Sequence, residues 1–174
     1  SVFTGGDNNL IRLTQGELSI SDSLNIDGTS VGGVVITGDT NGDDITVAGT
    51  YITDISASFG TYNGAPDDLL DDNSRVLNFS ADSSDLALTA LTITGGRILN
   101  SEGSGAGIRF NSSGRLTVDQ STVSGNRSLD DGGGIYASGD LTLISSTVSE
   151  NYSTFTGGGI DSGQGAVLLN NSTV

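Results

Sequence analysis

Aliphatic residues along this chain come in short runs with a polar or small residue between each pair. Leu18-Ser19-Ile20, Leu24-Asn25-Ile26, Leu77-Asn78-Phe79, Leu86-Ala87-Leu88, Leu91-Thr92-Ile93, Leu116-Thr117-Val118 and Leu141-Thr142-Leu143 all follow this pattern. Ile11-Arg12-Leu13, Val34-Val35-Ile36 and Ile45-Thr46-Val47 are shorter or weaker versions of it. A period of two sends alternate side chains to opposite faces, so each run predicts a strand with one buried face. Gly, Asn, Asp and Ser fill the gaps, where turns are expected. No window shows a 3.6-residue period, and with three Glu and no Lys the chain offers little to a helix.

Three of the runs open a longer phrase that recurs. Ser121-Thr122-Val123, Ser146-Thr147-Val148 and Ser172-Thr173-Val174 begin 25 and then 26 residues apart (146 − 121 and 172 − 146). Each follows an aliphatic run that starts five positions earlier, at Leu116, Leu141 and Val167. Asn126 and Asn151 keep the 25-residue spacing, as do Gly132-Gly133-Gly134-Ile135 and Gly157-Gly158-Gly159-Ile160. A fixed period of this size marks stacked units, none of which can bury its apolar face alone. The expected fold is all-β: a right-handed parallel β-helix (solenoid) of about 25 residues per coil, with three strands in each coil. Coils would stack ~4.8 Å apart.

Aligning the repeats predicts what stands above what. Thr92, Thr122, Thr147 and Thr173 fall in one outward rank, and Ile93, Val123, Val148 and Val174 in the inward rank beside it. Asn126 and Asn151 share a corner with Gly96 one coil earlier, where an Asn amide can bond the backbone and the Asn of the next coil. Arg115 opposite Asp140 predicts an exposed ion pair, and Arg127 opposite Tyr152 a cation–π contact. Residues 1–40 are expected to form an N-terminal cap and the first coils. Residues 41–74 break the period and carry the single Pro66 and the paired acids Asp67-Asp68 and Asp71-Asp72, so they are expected to form an inserted loop or hairpin, an excursion from the wall. Residues 75–174 are the regular coils, expected to continue past Val174.

Composition narrows the partners. The chain has 174 residues, 21 acidic and 6 basic, for a net charge of −15, and all six basic residues are Arg. Such an excess of anions opposes binding to nucleic-acid backbone or to anionic membrane surfaces, while divalent cations and neutral ligands remain admissible. No run reaches the ~18–20 apolar residues of a membrane-spanning helix, so no membrane insertion is expected. Without Cys or His, nucleophilic triads built on those residues are excluded. An acidic chain rich in Gly, Ser, Thr and Asn points to a secreted or cell-surface bacterial protein.

The phrases Leu-Thr-Val…Ser-Thr-Val-Ser-Gly-Asn…Gly-Gly-Gly-Ile and Leu-Thr-Leu…Ser-Thr-Val-Ser-Glu-Asn…Gly-Gly-Gly-Ile resemble the right-handed parallel β-helix repeats of large bacterial surface and secreted proteins. Their Gly-Gly-x-Ile and Asn spacing is similar to the polymorphic outer-membrane-protein repeats. The resemblance covers most of the chain outside 41–74; its third coil carries Gly105-Ala106-Gly107-Ile108 in place of the triple glycine. It implies a non-catalytic structural or adhesive segment, a rod or binding wall, whose partner is a polysaccharide or another cell-surface component. The alternative it leaves open is a β-helix polysaccharide lyase or glycoside hydrolase with its site in the excursion or outside these 174 residues.

One segment suggests a metal. Asp39-Thr40-Asn41-Gly42-Asp43-Asp44 presents oxygens at alternating positions, the start of a calcium loop, with Asp39, Asn41 and Asp43 as ligands. Asp44 stands where such a loop wants Gly, and Thr50 where it wants an acid. Calcium would make the segment a stabilised scaffold, the third reading. On the repeat face no carboxylate rank builds up: Asp119 aligns with Ile144 and Asn170, Asp140 with Arg115 and Ala166, and Glu150 with Gly125. No catalytic residue is therefore assigned.

Overall fold

A computed structural model describes residues 9–39, 74–98 and 103–174. Within them the regular structure is nearly all β, 49% strand against 2% helix, wound into a parallel β-solenoid of about four turns. The first coils hold β1 (Leu10–Arg12), β2 (Leu18–Ile20), β3 (Leu24–Asp27) and β4 (Val34–Thr37). The next holds β5 (Leu77–Ser80), β6 (Leu86–Thr89), β7 (Leu91–Thr94) and β8 (Arg97–Ile98). Above it lie β9 (Ile108–Asn111), β10 (Arg115–Asp119), β11 (Thr122–Ser124) and β12 (Arg127–Ser128). Then come β13 (Ile135–Ala137), β14 (Asp140–Ile144), β15 (Thr147–Ser149) and β16 (Tyr152–Ser153), and last β17 (Ile160–Ser162) and β18 (Val167–Asn170).

Four parallel sheets follow from this winding. The first wall runs β2-β5-β9-β13-β17, the second β3-β6-β10-β14-β18 and the third β1-β4-β7-β11-β15; a narrow ribbon, β8-β12-β16, joins the third wall to the first. The inward ranks are those the alternation predicts. Leu86, Leu116 and Leu141 stack on the second wall, and Ile93, Val123 and Val148 on the third, all almost wholly buried. Phe79 and Phe110 stack on the first wall with ring centroids 5.0 Å apart, and Ala137 follows them in the rank. Each fully buried Leu, Ile, Val or Phe contributes about 1.5–3 kcal/mol relative to exposure, and only in company with the coils on either side.

Strand positions recur roughly 28 residues apart over the stack as a whole. Leu116 and Leu141 pair 25 apart, but Leu86 and Leu116 pair 30 apart. The extra five residues fall between strands in sequence: nine separate β8 from β9 where six separate β12 from β13, and Ile108 to Leu116 is eight positions where Ile135 to Leu141 is six. Corners can absorb insertions because only the walls are bound to a register. The coils that begin at β5, β9 and β13 depart from the expected three strands: each carries a fourth, the two-residue ribbon, which is too short to show alternation. A 3₁₀ turn, Thr29–Val31, bridges β3 and β4.

Polar ladders close the corners. Between the second and third walls the chain turns through left-handed residues at Ala90, Gln120, Ser145 and Asn171, with φ of 48–54°. The next position is Ser in the upper coils, and each hydroxyl accepts the N–H of the coil below: Leu91 to Ser121 at 3.0 Å, Ser121 to Ser146 at 3.1 Å, Ser146 to Ser172 at 3.1 Å. At the far edge of the third wall Asn126 Oδ1 accepts Gly96 N–H (2.9 Å), while its Nδ2 donates to Ile93 C=O (3.2 Å) and to Asn151 Oδ1 (2.9 Å). The triple-glycine phrase backs onto this ladder. A Cβ on Gly134 would stand 2.8 Å from Asn151 Nδ2 and 2.6 Å from Gly159 O, so no side chain fits.

Candidate functional site

The outward ranks decide what the rod can offer a ligand. On the third wall Thr92, Thr122, Thr147 and Thr173 form a hydroxyl rank in the expected register. On the first wall the rank runs Ser19, Asn78, Arg109, Tyr136 and Asp161. On the second wall it runs Asn25, Ala87, Thr117, Thr142 and Leu168. There Ala87 is a small side chain between two larger polar ones, and the surface dips.

That dip is a groove of about 430 Å³ lined by Ser23, Leu24, Asn25, Asp85, Leu86, Ala87, Arg115 and Thr117. The wall register brings these residues, more than 90 positions apart in sequence, to one place. Asp85 is fixed by the backbone: its Oδ1 accepts Arg115 N–H at 2.8 Å, and its own N–H donates to Ser23 Oγ at 3.2 Å. The Arg115 guanidinium reaches Asp140 Oδ2 only at 3.9 Å, and both side chains are about half exposed, so the pair holds it loosely. The groove thus combines an apolar floor with an amide, two hydroxyls, one carboxylate and five guanidinium donors. Hydroxyl-bearing ligands suit such a set, because every polar atom in it can donate to or accept from an O–H.

Below the groove, at the end of β3, Asp27 accepts the Thr29 hydroxyl and backbone N–H, the latter at 2.8 Å. These bonds hold its carboxyl below the usual carboxylate range.

A two-carboxylate hydrolase needs a second acid facing the first across the bond to be cut. Among the groove-lining residues Asp85 is the only acid. Asp131 and Asp161 do approach each other, but near the opposite end of the stack. Both contact Thr156 Oγ1.

The expected cross-coil contacts are present. Arg115 meets Asp140, and Arg127 lies over the Tyr152 ring at 5.1 Å. Of the three expected calcium ligands only Asp39 is described: it is fully buried just past β4, with its N–H donated to Thr37 Oγ1 at 3.1 Å. Asn41 and Asp43 lie outside the described residues, as do the paired acids and nearly all of the excursion expected over 41–74. Among the described residues no group of three or more acidic side chains is placed to hold a metal, and no helix is long and apolar enough to cross a membrane.

One buried charge went unrecognised in the sequence. Arg75, 7% exposed, pairs with Glu17 at 2.6 Å and donates to Gly105 C=O (3.1 Å) and Gly103 C=O (3.2 Å). It ties three successive coils together where the described chain resumes. Beside it Ser74 N–H meets Gly38 C=O at 3.1 Å, so the residues flanking 40–73 touch.

Comparison with protein-family models, with curated proteins and with solved structures gives no match.

Proposed function

We propose that this chain is a non-catalytic segment of a secreted or cell-surface bacterial protein, a stiff rod whose second wall binds a neutral polysaccharide. The observation that carries the reading is the groove over Ala87, where Asn25, Thr117, Ser23, Asp85 and Arg115 surround an apolar floor on an otherwise regular wall. A long sugar chain can lie along such a wall, and the stacked coils keep the recognition atoms at fixed spacing. A net charge of −15 disfavours a polyanionic ligand over a neutral one. The likeness of the repeats to polymorphic outer-membrane-protein repeats supports the cell-surface setting.

The test is retention of the protein on a panel of immobilised neutral and acidic polysaccharides, with released reducing ends assayed alongside. Retention on a neutral glycan without release, abolished in Arg115→Ala, is expected. Released sugar ends would overturn the reading in favour of a lyase or hydrolase.

The same proposal keeps calcium as a stabilising ion at Asp39, Asn41 and Asp43. Their alternating oxygens, and the anchoring of Asp39 at the end of β4, support it. Calcium should raise the Tm and a chelator lower it, and the shift should vanish in Asp43→Asn. A Tm indifferent to both would remove calcium from the account.

A further inference from the structure

The groove on the second wall is a grid of six side chains whose middle row departs from the rest of the wall. Two outward columns run along the rod: Ser23, Asp85 and Arg115 in one, Asn25, Ala87 and Thr117 in the other. Residues two apart on a strand stand about 6.6 Å from each other, and successive coils ~4.8 Å. The middle row is Asp85 and Ala87. Two coils higher the same columns hold Asp140 and Thr142, so the acid is kept and Thr takes the second place. Asp140 Oδ1 accepts Ala166 N–H at 3.0 Å, as Asp85 Oδ1 accepts Arg115 N–H at 2.8 Å. The two rows thus differ by the methyl and hydroxyl that Ala87 lacks, and only the Ala87 row lines the groove. We infer that this seat takes the acetamido group of an N-acetylated sugar, an inference that rests on the reading of the wall as a glycan-binding surface.

The missing atoms and the polar rim define the guest. A Thr in place of Ala87 would bring one methyl and one oxygen into the dip, so the space suits a methyl with a polar atom beside it. The rim discriminates further. A carboxylate only accepts and a guanidinium only donates, whereas a sugar hydroxyl does either. An amide has one fixed donor and one fixed acceptor, so Asp85 and Arg115 on neighbouring coils match its N–H and C=O. Asp85 Oδ2, the oxygen not bonded to Arg115 N–H, serves the amide N–H. The Arg115 guanidinium, 60% exposed and held only at 3.9 Å by Asp140, turns to the amide C=O. The acetamido group is neutral, in keeping with a protein that carries a net charge of −15.

The seat occurs once on this wall. Thr117 and Thr142 fill the places above Ala87 in the same rank, and Asn25 the place below. One acetamido group is therefore held, and the sugars on either side of it lie against the Asn25 amide and the Thr117 hydroxyl. The same register supplies the variant that removes the seat alone. Ala87→Thr copies the Asp140–Thr142 row into the groove, and Thr is a favourable strand residue that this rank already carries at two positions.

The experiment titrates the 174-residue chain with fully N-acetylated chitotetraose and with cellotetraose, following amide chemical shifts. The two sugars share a backbone and differ in the acetamido group. The acetylated tetramer should bind at least about tenfold tighter, the worth of one buried methyl and one hydrogen bond. Ala87→Thr should erase that difference with no fall in Tm. Asp85→Asn keeps an oxygen for Arg115 N–H but turns an NH₂ on the ligand N–H, and should erase it by a separate route. A preference that survives either variant would overturn the seat. Equal affinities in the parent protein would overturn the inference and leave the glycan reading standing, as would binding of another neutral glycan but of neither tetramer. Failure to bind any neutral glycan would overturn the glycan reading and this inference with it.

Discussion

Replacing Asn126 with Ala tests whether the corner ladder holds the coils together or merely decorates them. Asn126 is 1% exposed, and its amide serves Gly96 N–H through Oδ1 and Ile93 C=O, Ser124 C=O and Asn151 Oδ1 through Nδ2. Truncation leaves the Gly96 N–H without its acceptor in a dry corner and takes a donor from Ile93 C=O, Ser124 C=O and Asn151 Oδ1. At about 1–3 kcal/mol for a buried group left unsatisfied, with the lost donor bonds added, the loss should be about 2–4 kcal/mol. Asn151→Ala removes the same kind of side chain one coil nearer the open end. Asn151 is only half-buried, so water can relieve the groups left behind, and about 1–2 kcal/mol is expected. Asn126→Asp keeps the acceptor for Gly96 but turns a second anionic oxygen on Ile93 C=O, Ser124 C=O and Asn151 Oδ1. It should be at least as damaging as Ala. Urea denaturation followed by far-UV circular dichroism ranks the three variants. Asn126→Ala within about 0.5 kcal/mol of the parent, or Asn126→Asp more stable than Asn126→Ala, would refute the ladder as a source of stability.

Further outcomes follow from the same geometry. Val148→Asp places an unpaired carboxylate in the inward rank above Val123, at a cost of several kcal/mol, and coils depend on their neighbours. Hydrogen exchange should show residues 141–174 losing protection while residues 77–98 keep theirs; an unchanged profile would sink the register. Gln120 is exposed at φ 48°, so Gln120→Gly should stabilise by about 0.5–1 kcal/mol, and destabilisation would mean the side chain has a role the corner does not reveal. Because the Asp27 carboxyl is held low by Thr29, its contribution to folding is present above the usual carboxylate pKa and is lost as pH falls through the lowered folded value. Carboxyl NMR should place its midpoint below that of Asp27 in a Thr29→Val variant; equal midpoints would contradict the assignment.

The walls were legible because each inward rank is written twice, once in the alternation of a strand and again one period later. That redundancy placed Thr122 beside Thr147, Arg115 beside Asp140 and Asn126 beside Asn151 without coordinates. The narrow ribbon was not legible, since Arg97-Ile98 and Arg127-Ser128 are too short to show a period. The groove was not legible either. Its signal is a single small residue, Ala87, in a rank whose register depends on a 62-residue step from Leu24 to Leu86. Nothing in the spacing announces that step, because the irregular stretch falls inside it. Arg75 escaped notice for a similar reason: its partner Glu17 lies 58 positions away, and only the stacking brings them together.

The proposal that the second wall is a glycan-binding surface is tested most directly by mapping a retained oligosaccharide onto the chain by amide chemical shifts. The account predicts that the largest shifts fall on Asn25, Ala87, Arg115 and Thr117, that they saturate, and that the sugar is recovered intact. Shifts centred on Thr122 and Thr147 of the third wall, or a shortened sugar, would contradict it.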